Sequence, residues 1–158
     1  TDKKMLLIGA GKACREKLNS LSQLGIEITV ISPDFHPDFL EKPWLKLIKR
    51  PYQKGDLNGY DIVYVGINNP EIERSIYAES REYQILVNFV DKVELSDFIS
   101  PSLIKRENFS IFISTYGRGP GAAKKIRQTI ESKVDLAALD SETADYIQNR
   151  KKTKKTES

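Results

Sequence analysis

The apolar positions of this chain fall into short continuous runs separated by helical spacings. Met5–Ile8 is an unbroken apolar run, long enough for a buried strand. Cys14, Leu18 and Leu21 follow at spacings of three and four residues, the period of one helix face. Gly25 is placed to end that helix as a C-cap. The chain therefore opens with a predicted strand and a predicted helix.

The pattern continues in the order of a parallel α/β fold. Further strands are predicted at Ile26–Ile31, Trp44–Ile48, Tyr60–Ile67 and Ile85–Val90, with a short helix or loop at Phe35–Pro43 and a helix that begins after Asn69. Parallel strands joined by crossovers of one hand bring their carboxyl ends to one edge of the sheet. We expect a Rossmann-like, doubly wound parallel sheet over residues 1–92.

A different pattern follows this sheet. Phe98–Arg106 and Phe109–Thr115 are β-rich and are predicted to pair as a hairpin around the turn Glu107-Asn108. The hairpin carries large apolar residues that one small sheet cannot cover. We therefore expect residues 93–116 to contribute to a homodimer interface.

The last part of the chain, residues 117–158, is predicted to be helical with a basic tail. Pro120 suits the first position of one helix, and Ser141 is placed to cap another. Arg118 and Lys124 lie around the start of the first of these helices, with Lys125 and Arg127 nearby. They indicate either a second anion site or a solvated basic face, and the residues alone leave both open.

The turn after the first predicted strand carries the candidate chemistry. Gly9, Gly11 and Cys14 occupy the three fixed positions of a G-x-G-x-x-G pattern, with a thiol in place of the third glycine. Gly9 permits the tight turn, and Gly11 allows the backbone to approach a pyrophosphate on the helix N-terminus. This predicts a dinucleotide site; a glycine turn that binds nothing is the alternative.

The end of the second predicted strand reads Ser32-Pro33-Asp34. An acid at this place binds the ribose hydroxyls in NAD-binding Rossmann domains, and Asp34 lies about 23 residues after Gly11. Ser32 could bond a ribose hydroxyl or a 2′-phosphate. The pattern favours NAD over NADP.

Composition narrows the class of protein. No apolar run approaches the roughly 20 residues that span a bilayer, and no export signal opens the chain, so we expect a cytoplasmic protein without a membrane partner. The single cysteine excludes an internal disulfide, and the single histidine gives no metal-ligand spacing. The basic residues at 150–155 lack interleaved aromatics, so we expect a solvated tail rather than a nucleic-acid site.

Asp91 is the acid best placed at the reactive end of the predicted site, because it follows the strand Ile85–Val90. It could equally cap a short helix, since Glu94 stands three residues later. The residues alone leave the catalytic and the capping role open.

Three stretches then resemble one family. They are LLIGAGKACREKLNSLSQLGIEITVISPDF, YDIVYVGINNPEIERSIYAESREYQILVNFVD and DFISPSLIKRENFSIFISTYGRGPGAAKKIRQTIES. They are similar to the precorrin-2 dehydrogenases of sirohaem biosynthesis, including the N-terminal half of the bifunctional sirohaem synthases. The D-F-I-x-P-S segment and the S-[ST]-x-G-x-[SG]-P turn are more specific than the glycine motif. The resemblance implies NAD-dependent oxidation of precorrin-2 to sirohydrochlorin.

The resemblance also implies roles for individual residues. Asp91 falls on the family's catalytic aspartate, and Thr115 falls on a serine of the tetrapyrrole pocket. The predicted cofactor site, part from the resemblance and part from the strand ends, comprises Gly9, Gly11, Lys12, Ala13, Ser32, Pro33, Asp34 and Asn68. The predicted substrate contacts, to the carboxylates of precorrin-2, are Thr115, Arg118, Lys124 and Lys105.

Two alternatives stay open. A bifunctional dehydrogenase–ferrochelatase shares the fold and adds metal insertion, although the family's helical region runs further than this chain. A non-catalytic NAD-sensing Rossmann module usually has an acid where Ser32 stands and lacks the D-F-I-S-P-S hairpin.

Overall fold

A computed structural model describes residues 2–22, 25–90 and 92–156 of the chain. The chain divides into two compact units, Thr1–Ser100 and Pro101–Ser158. The first unit contains β1 (Lys4–Ile8), α1 (Lys12–Leu21), β2 (Glu27–Ser32), α2 (Pro37–Leu40), β3 (Lys46–Lys49), β4 (Ile62–Val65), α3 (Pro70–Glu82) and β5 (Leu86–Phe89), followed by a 3-10 turn at Val93–Leu95.

The five strands form one parallel sheet in the order β3-β2-β1-β4-β5. Ile8 pairs with Ile31 on one side and with Val65 on the other, and Val65 pairs with Phe89. All the carboxyl ends therefore lie at one edge, which confirms the predicted α/β class and the predicted edge.

Helices cover both faces of the sheet because the strands bury both sets of alternating side chains. On one face Cys14 and Leu18 of α1 pack against β1 and β2. On the other face Ile76 of α3 packs against β4 and β5. Helix α1 is described to Leu21, and the Ser22 N–H donates to the Leu18 carbonyl. Gly25, the predicted C-cap, has a left-handed φ of 66°, and the two residues before it lie outside the described residues.

The second unit contains β6 (Ser102–Lys105), β7 (Ser110–Ile113), α4 (Pro120–Lys133) and α5 (Leu136–Thr156). The two strands are antiparallel, and the Arg106 N–H donates to the Phe109 carbonyl at 2.9 Å around the predicted two-residue turn. Ile104 and Ile113 form a small core with Ala123 of α4 and Leu136 of α5.

Two predicted boundaries of this region are wrong. Strand β6 begins at Ser102, not at Phe98, because the preceding residues pack against β5: the Asp97 N–H donates to the Val87 carbonyl at 2.8 Å. Ser141 lies inside α5 and does not cap it. The cap is Asp135, whose Oδ1 accepts hydrogen bonds from the second and third residues of that helix.

Candidate functional site

The turn between β1 and α1 holds its first glycine by contact with another strand. Gly9 has a φ of +98°, and its N–H donates to the Ile31 carbonyl at 2.8 Å. A Cβ at Gly9 would lie 2.7 Å from the carbonyl oxygen of Gly66, just after β4. Both the backbone conformation and the neighbour therefore require glycine here.

Gly11 has the opposite surroundings. It is the N-cap of α1, no side chain caps that helix end, and a Cβ at Gly11 would meet nothing within 4 Å. Open space therefore lies beside Gly11 at the uncapped start of α1. An exposed, uncapped helix N-terminus beside a glycine is what a pyrophosphate needs, so the residues present fit a dinucleotide.

Cys14 packs the helix onto the sheet. Its side chain is fully buried, its Sγ lies 3.8 Å from the Ile8 carbonyl, and a Cβ at Gly66 would lie 2.1 Å from that sulfur. Burial raises the pKa of the Cys14 thiol to about 12. The third motif position can therefore hold a thiol because the facing residue, just after β4, is a glycine.

The loop after β2 lies at the same edge. Ser32 is buried, and its Oγ donates to the backbone carbonyl of Asp34 at 2.6 Å, while the residues Pro33 and Asp34 are exposed. The Ser32 hydroxyl is therefore engaged with its own loop, and Asp34 is the accessible polar group.

Sequence reasoning missed a polar cluster beside this loop. The His36 N–H donates to the Ala10 carbonyl at 3.3 Å, and its Nδ1 accepts from the N–H of Asp38. Arg15 Nη1 lies 3.4 Å from His36 Nε2 and 3.6 Å from Asp38 Oδ2. The cluster ties the β2 loop to the glycine turn. The signal for it was the histidine directly before Pro37, an N-cap position of a short helix.

The ends of β4 and β5 complete the edge. Asn68 is exposed, and its neighbour Asn69 caps α3, with Oδ1 accepting from the Glu71 and Ile72 N–H groups. Asn88 is only 6 % exposed and donates to the Phe98 carbonyl at 2.7 Å. Asp91 lies outside the residues that the structure describes.

The predicted substrate residues all lie in the second unit. Thr115 Oγ1 donates to the Gly119 carbonyl at 2.9 Å, and the Arg118 N–H donates to the Thr115 carbonyl at 2.9 Å. These two residues therefore share one turn, and Lys124 is exposed on the first turns of α4. Lys105 pairs with Ser110 at the other end of β7, about five residues or roughly 16 Å of strand from Thr115.

Two further features bear on the site. Among residues 2–22, 25–90 and 92–156, no three histidine, cysteine or carboxylate side chains group closely enough to bind a metal ion. No helix within these ranges combines the length and apolar character needed to cross a membrane.

A family model described as "Putative NAD(P)-binding" matches residues 1–102. The chain belongs to this NAD(P)-binding family. The match covers every strand of the parallel sheet and the open glycine turn, so the cofactor class is a nicotinamide dinucleotide.

Two curated relatives of this chain are both named siroheme synthases. The chain is 28 % identical over 157 residues to "Siroheme synthase" of Methylobacillus flagellatus, covering 94 % of this chain and 34 % of the relative. It is 32 % identical over 136 residues to "Siroheme synthase 2" of Pectobacterium atrosepticum, covering 83 % of this chain and 29 % of the relative. The chain thus spans about a third of the length of these curated relatives.

A solved structure shares the fold. "SirC, precorrin-2 dehydrogenase" superposes with a TM-score of 0.75 at 23 % identity, over 94 % of this chain and 71 % of that one. The family resemblance that the three sequence stretches indicated is confirmed by these matches.

Proposed function

We propose that this chain is an NAD-dependent dehydrogenase that oxidises precorrin-2 to sirohydrochlorin in the cytoplasm. The observation that carries the proposal is the extent of the match to siroheme synthases, which reaches 157 residues and so includes both units. A dinucleotide-sensing module would account for the first unit and leave the second unexplained.

The proposed cofactor site lies at the carboxyl edge of the parallel sheet, within residues 1–92. Bound NAD supplies the hydride acceptor. The backbone at Gly9 and Gly11 would admit the pyrophosphate to the N-terminus of α1, where Lys12 and Ala13 form the first turn. The loop Ser32–Asp34 would meet the ribose through its exposed residues Pro33 and Asp34, and Asn68 would line the far side of the edge.

We assign the preference for NAD over NADP to the acids of the β2 loop. A 2′-phosphate needs an available cation at the ribose, and the guanidinium of Arg15 is already 3.6 Å from the carboxylate of Asp38. The exposed Asp34 would add like-charge repulsion against that phosphate.

Asp91 is the proposed catalytic residue. It follows β5 in the chain, and β5 ends at the same edge as the glycine turn. Dehydrogenation removes two hydrogens from the substrate, one as a hydride and one as a proton. A carboxylate at this place would accept the proton, and general acid–base groups typically contribute about 10²- to 10⁴-fold to the rate.

The proposed substrate contacts are the residues of the second unit. Precorrin-2 carries many carboxylates, which Arg118, Lys124 and Lys105 would pair with, and the Thr115 hydroxyl lies in the turn that holds Arg118. We place Lys105 at the periphery, because β7 separates it from that turn.

The proposed homodimer uses the hairpin within residues 93–116. Its outer face carries Leu103 paired with Phe112, and Phe112 is 66 % exposed. Light scattering at micromolar concentration tests this, and a monomer would contradict it. A partner copy would cover this apolar pair.

The test of the activity is anaerobic incubation with precorrin-2 and NAD, following the absorbance of sirohydrochlorin and NADH. The wild-type chain should form both. Asp91→Asn keeps the size of the side chain and any capping bond but loses the charge, so it should bind NADH normally and lose about 10²-fold or more in rate. Asp145→Asn, on the exposed face of α5, is the matched control and should behave as wild type.

Each outcome of these assays would reject one part of the proposal. Oxidation by Asp91→Asn at the wild-type rate would leave Asp91 as a cap only. No NADH from the wild-type chain would reject the dehydrogenase. Insertion of iron into sirohydrochlorin is the second candidate activity, because the matched relatives are named siroheme synthases. Incubation of sirohydrochlorin with ferrous iron tests that activity separately.

A further inference from the structure

The turn between β7 and α4 holds an aromatic residue in a backbone conformation that L-residues avoid. Tyr116 has a φ of 54°, and Gly117 follows with a φ of 75°. The Arg118 N–H closes the turn on the Thr115 carbonyl at 2.9 Å. Two left-handed central residues are the mark of a type I′ turn, which favours asparagine, aspartate or glycine at both positions.

Neither burial nor the hydrogen bonds of the turn require a tyrosine side chain at this position. The ring of Tyr116 is 78 % exposed, so burial in the core does not hold it. The bonds that shape the turn use the Tyr116 backbone N–H, which donates to Ser114 Oγ at 3.1 Å, and Thr115 Oγ1, which donates to the Gly119 carbonyl. Asparagine or glycine would form the same bonds with less strain. A residue kept in a strained conformation against local preference points to function.

The charges around the turn indicate the chemistry of its ligand. From Thr115 to Ile130 the sequence contains four cationic residues and no acidic residue: Arg118, Lys124, Lys125 and Arg127. Arg127 is paired with Glu131 at 2.8 Å, so the cations offered to a ligand are those nearer the turn. Contact of this segment with its own copy would bring like charges together. A flat, conjugated ligand with carboxylates at its rim would match both the exposed ring and the cations.

We propose that Tyr116 is a substrate-recognition residue whose ring stacks on the face of the tetrapyrrole macrocycle. Arg118, two residues later in the same turn, pairs with a carboxylate at the edge of that macrocycle. The strained backbone holds the ring out from the turn, where a flat ligand can cover it. This inference rests on the proposed function, since it names the residue that recognises the substrate of that reaction.

The test compares variants that separate the ring from the turn. Tyr116→Asn suits the type I′ position and removes the ring, whereas Tyr116→Phe keeps the ring. Tyr146→Gln removes a similarly exposed tyrosine from α5, where it is 68 % exposed, and serves as the matched control. Each variant is titrated with sirohydrochlorin and, separately, with NADH, and its thermal stability and oligomeric state are measured.

Tyr116→Asn should raise the Kd for sirohydrochlorin about three- to tenfold, the range of one aromatic stacking contact. Its affinity for NADH should stay unchanged, and its melting temperature should stay the same or rise. Tyr116→Phe and Tyr146→Gln should bind both ligands as the wild type does.

Three results would overturn the inference. The first is wild-type affinity for sirohydrochlorin in Tyr116→Asn. The second is dissociation of Tyr116→Asn into monomers in step with lost binding, which would assign the ring to a subunit contact. The third is a wild-type chain that binds NADH but not sirohydrochlorin, which rejects the proposed function itself and is visible before any variant is made.

Discussion

The turn from β1 into α1 and the turn from β7 into α4 both contain glycines, and different forces fix their conformations. The turn at 9–11 joins β1 to α1, and the turn at 114–119 joins β7 to α4. Both helices begin at a glycine N-cap without a side-chain cap. In the first turn, Gly9 has the Gly66 carbonyl 2.7 Å from where its Cβ would stand. In the second, a tyrosine occupies a left-handed position.

The difference shows where each turn can vary. Gly66, just after β4, constrains the first turn, so its sequence follows the packing of the sheet as well as the proposed cofactor. Local hydrogen bonds through Ser114 and Thr115 shape the second turn. Its side chains are therefore freer to suit the proposed substrate, at some expense in backbone strain.

The largest loss of stability should come from adding a Cβ at Gly66, next to Cys14 of α1. Gly66→Ala would place a Cβ 2.1 Å from Sγ of the fully buried Cys14. Overpacking of this kind costs about 1–3 kcal/mol and occasionally more, so we expect a loss of about 3 kcal/mol in the free energy of unfolding. Urea unfolding measures it.

A second substitution should reverse most of that loss. In the Cys14→Ala background the nearest contact of the new Cβ is the residue-14 Cβ at 3.6 Å, an ordinary van der Waals distance. The double variant should therefore be more stable than Gly66→Ala alone. Additive losses would show that the clash lies elsewhere.

The next largest effect should be on NADH affinity, with little change in stability. Gly11→Ala adds a Cβ into open space at an ordinary negative φ of −80°, so the melting temperature should hardly change. The affinity for NADH should fall about tenfold or more, because the methyl group would stand where the pyrophosphate approaches the backbone.

Gly121→Ala is the matched control for this change, since a Cβ there also meets nothing within 4 Å. It lies near the start of α4 and should leave NADH binding unchanged. Wild-type NADH affinity in Gly11→Ala would contradict the placement of the cofactor.

The first turn could be predicted from the sequence because its signals are local. Fourteen residues contain the run Met5–Ile8, the glycines and the helical spacing of Cys14 and Leu18. The same kind of local pattern marks the later strands and helices, so the parallel sheet could also be predicted. The Asn69-Pro70 start of α3 was visible for the same reason.

The contacts that sequence reasoning missed join distant residues. Gly66 accommodates the thiol of Cys14 across 52 positions, which no local pattern reveals. Glu79 is another case: it belongs to a helix, yet it is fully buried and accepts hydrogen bonds from Tyr52 Oη and from the Gly55 and Leu57 N–H groups. A carboxylate in an amphipathic helix normally indicates a solvated face.

The start of the hairpin was misplaced for a related reason. The strand was predicted from Phe98, but Ser96 and Asp97 directly before it accept side-chain hydrogen bonds from the Phe89 and Val87 N–H groups of β5. They therefore occupy the open edge of the first sheet, and the hairpin begins only at Ser102. The left-handed φ of Tyr116 was equally hidden, because tyrosine carries no turn signal.

A smaller effect should appear at alkaline pH. The pKa of Cys14 rises from 9.0 to about 12 in the folded chain, so its stabilising contribution is complete below pH 9 and is lost as the pH rises towards 12. We compare the free energy of unfolding of the wild type with that of Cys14→Ala. This difference should be about 1 kcal/mol less favourable to the wild type at pH 10 than at pH 7. Urea unfolding of both chains at the two pH values measures this, and a constant difference would mean that the thiol ionises freely in the folded state.

The smallest effect tests the second turn without touching its tyrosine. Gly117 has a φ of 75°, a conformation that disfavours an L-residue by about 1 kcal/mol, so Gly117→Ala should lower the melting temperature by roughly 2–4 °C. Gly25→Ala is the matched control, because Gly25 has a φ of 66° and open space around its Cβ. Equal losses would show that backbone conformation alone sets the stability of the second turn. No loss in Gly117→Ala, with a normal loss in Gly25→Ala, would mean that the turn relaxes away from the left-handed pair, and the strain assigned to Tyr116 would then be absent.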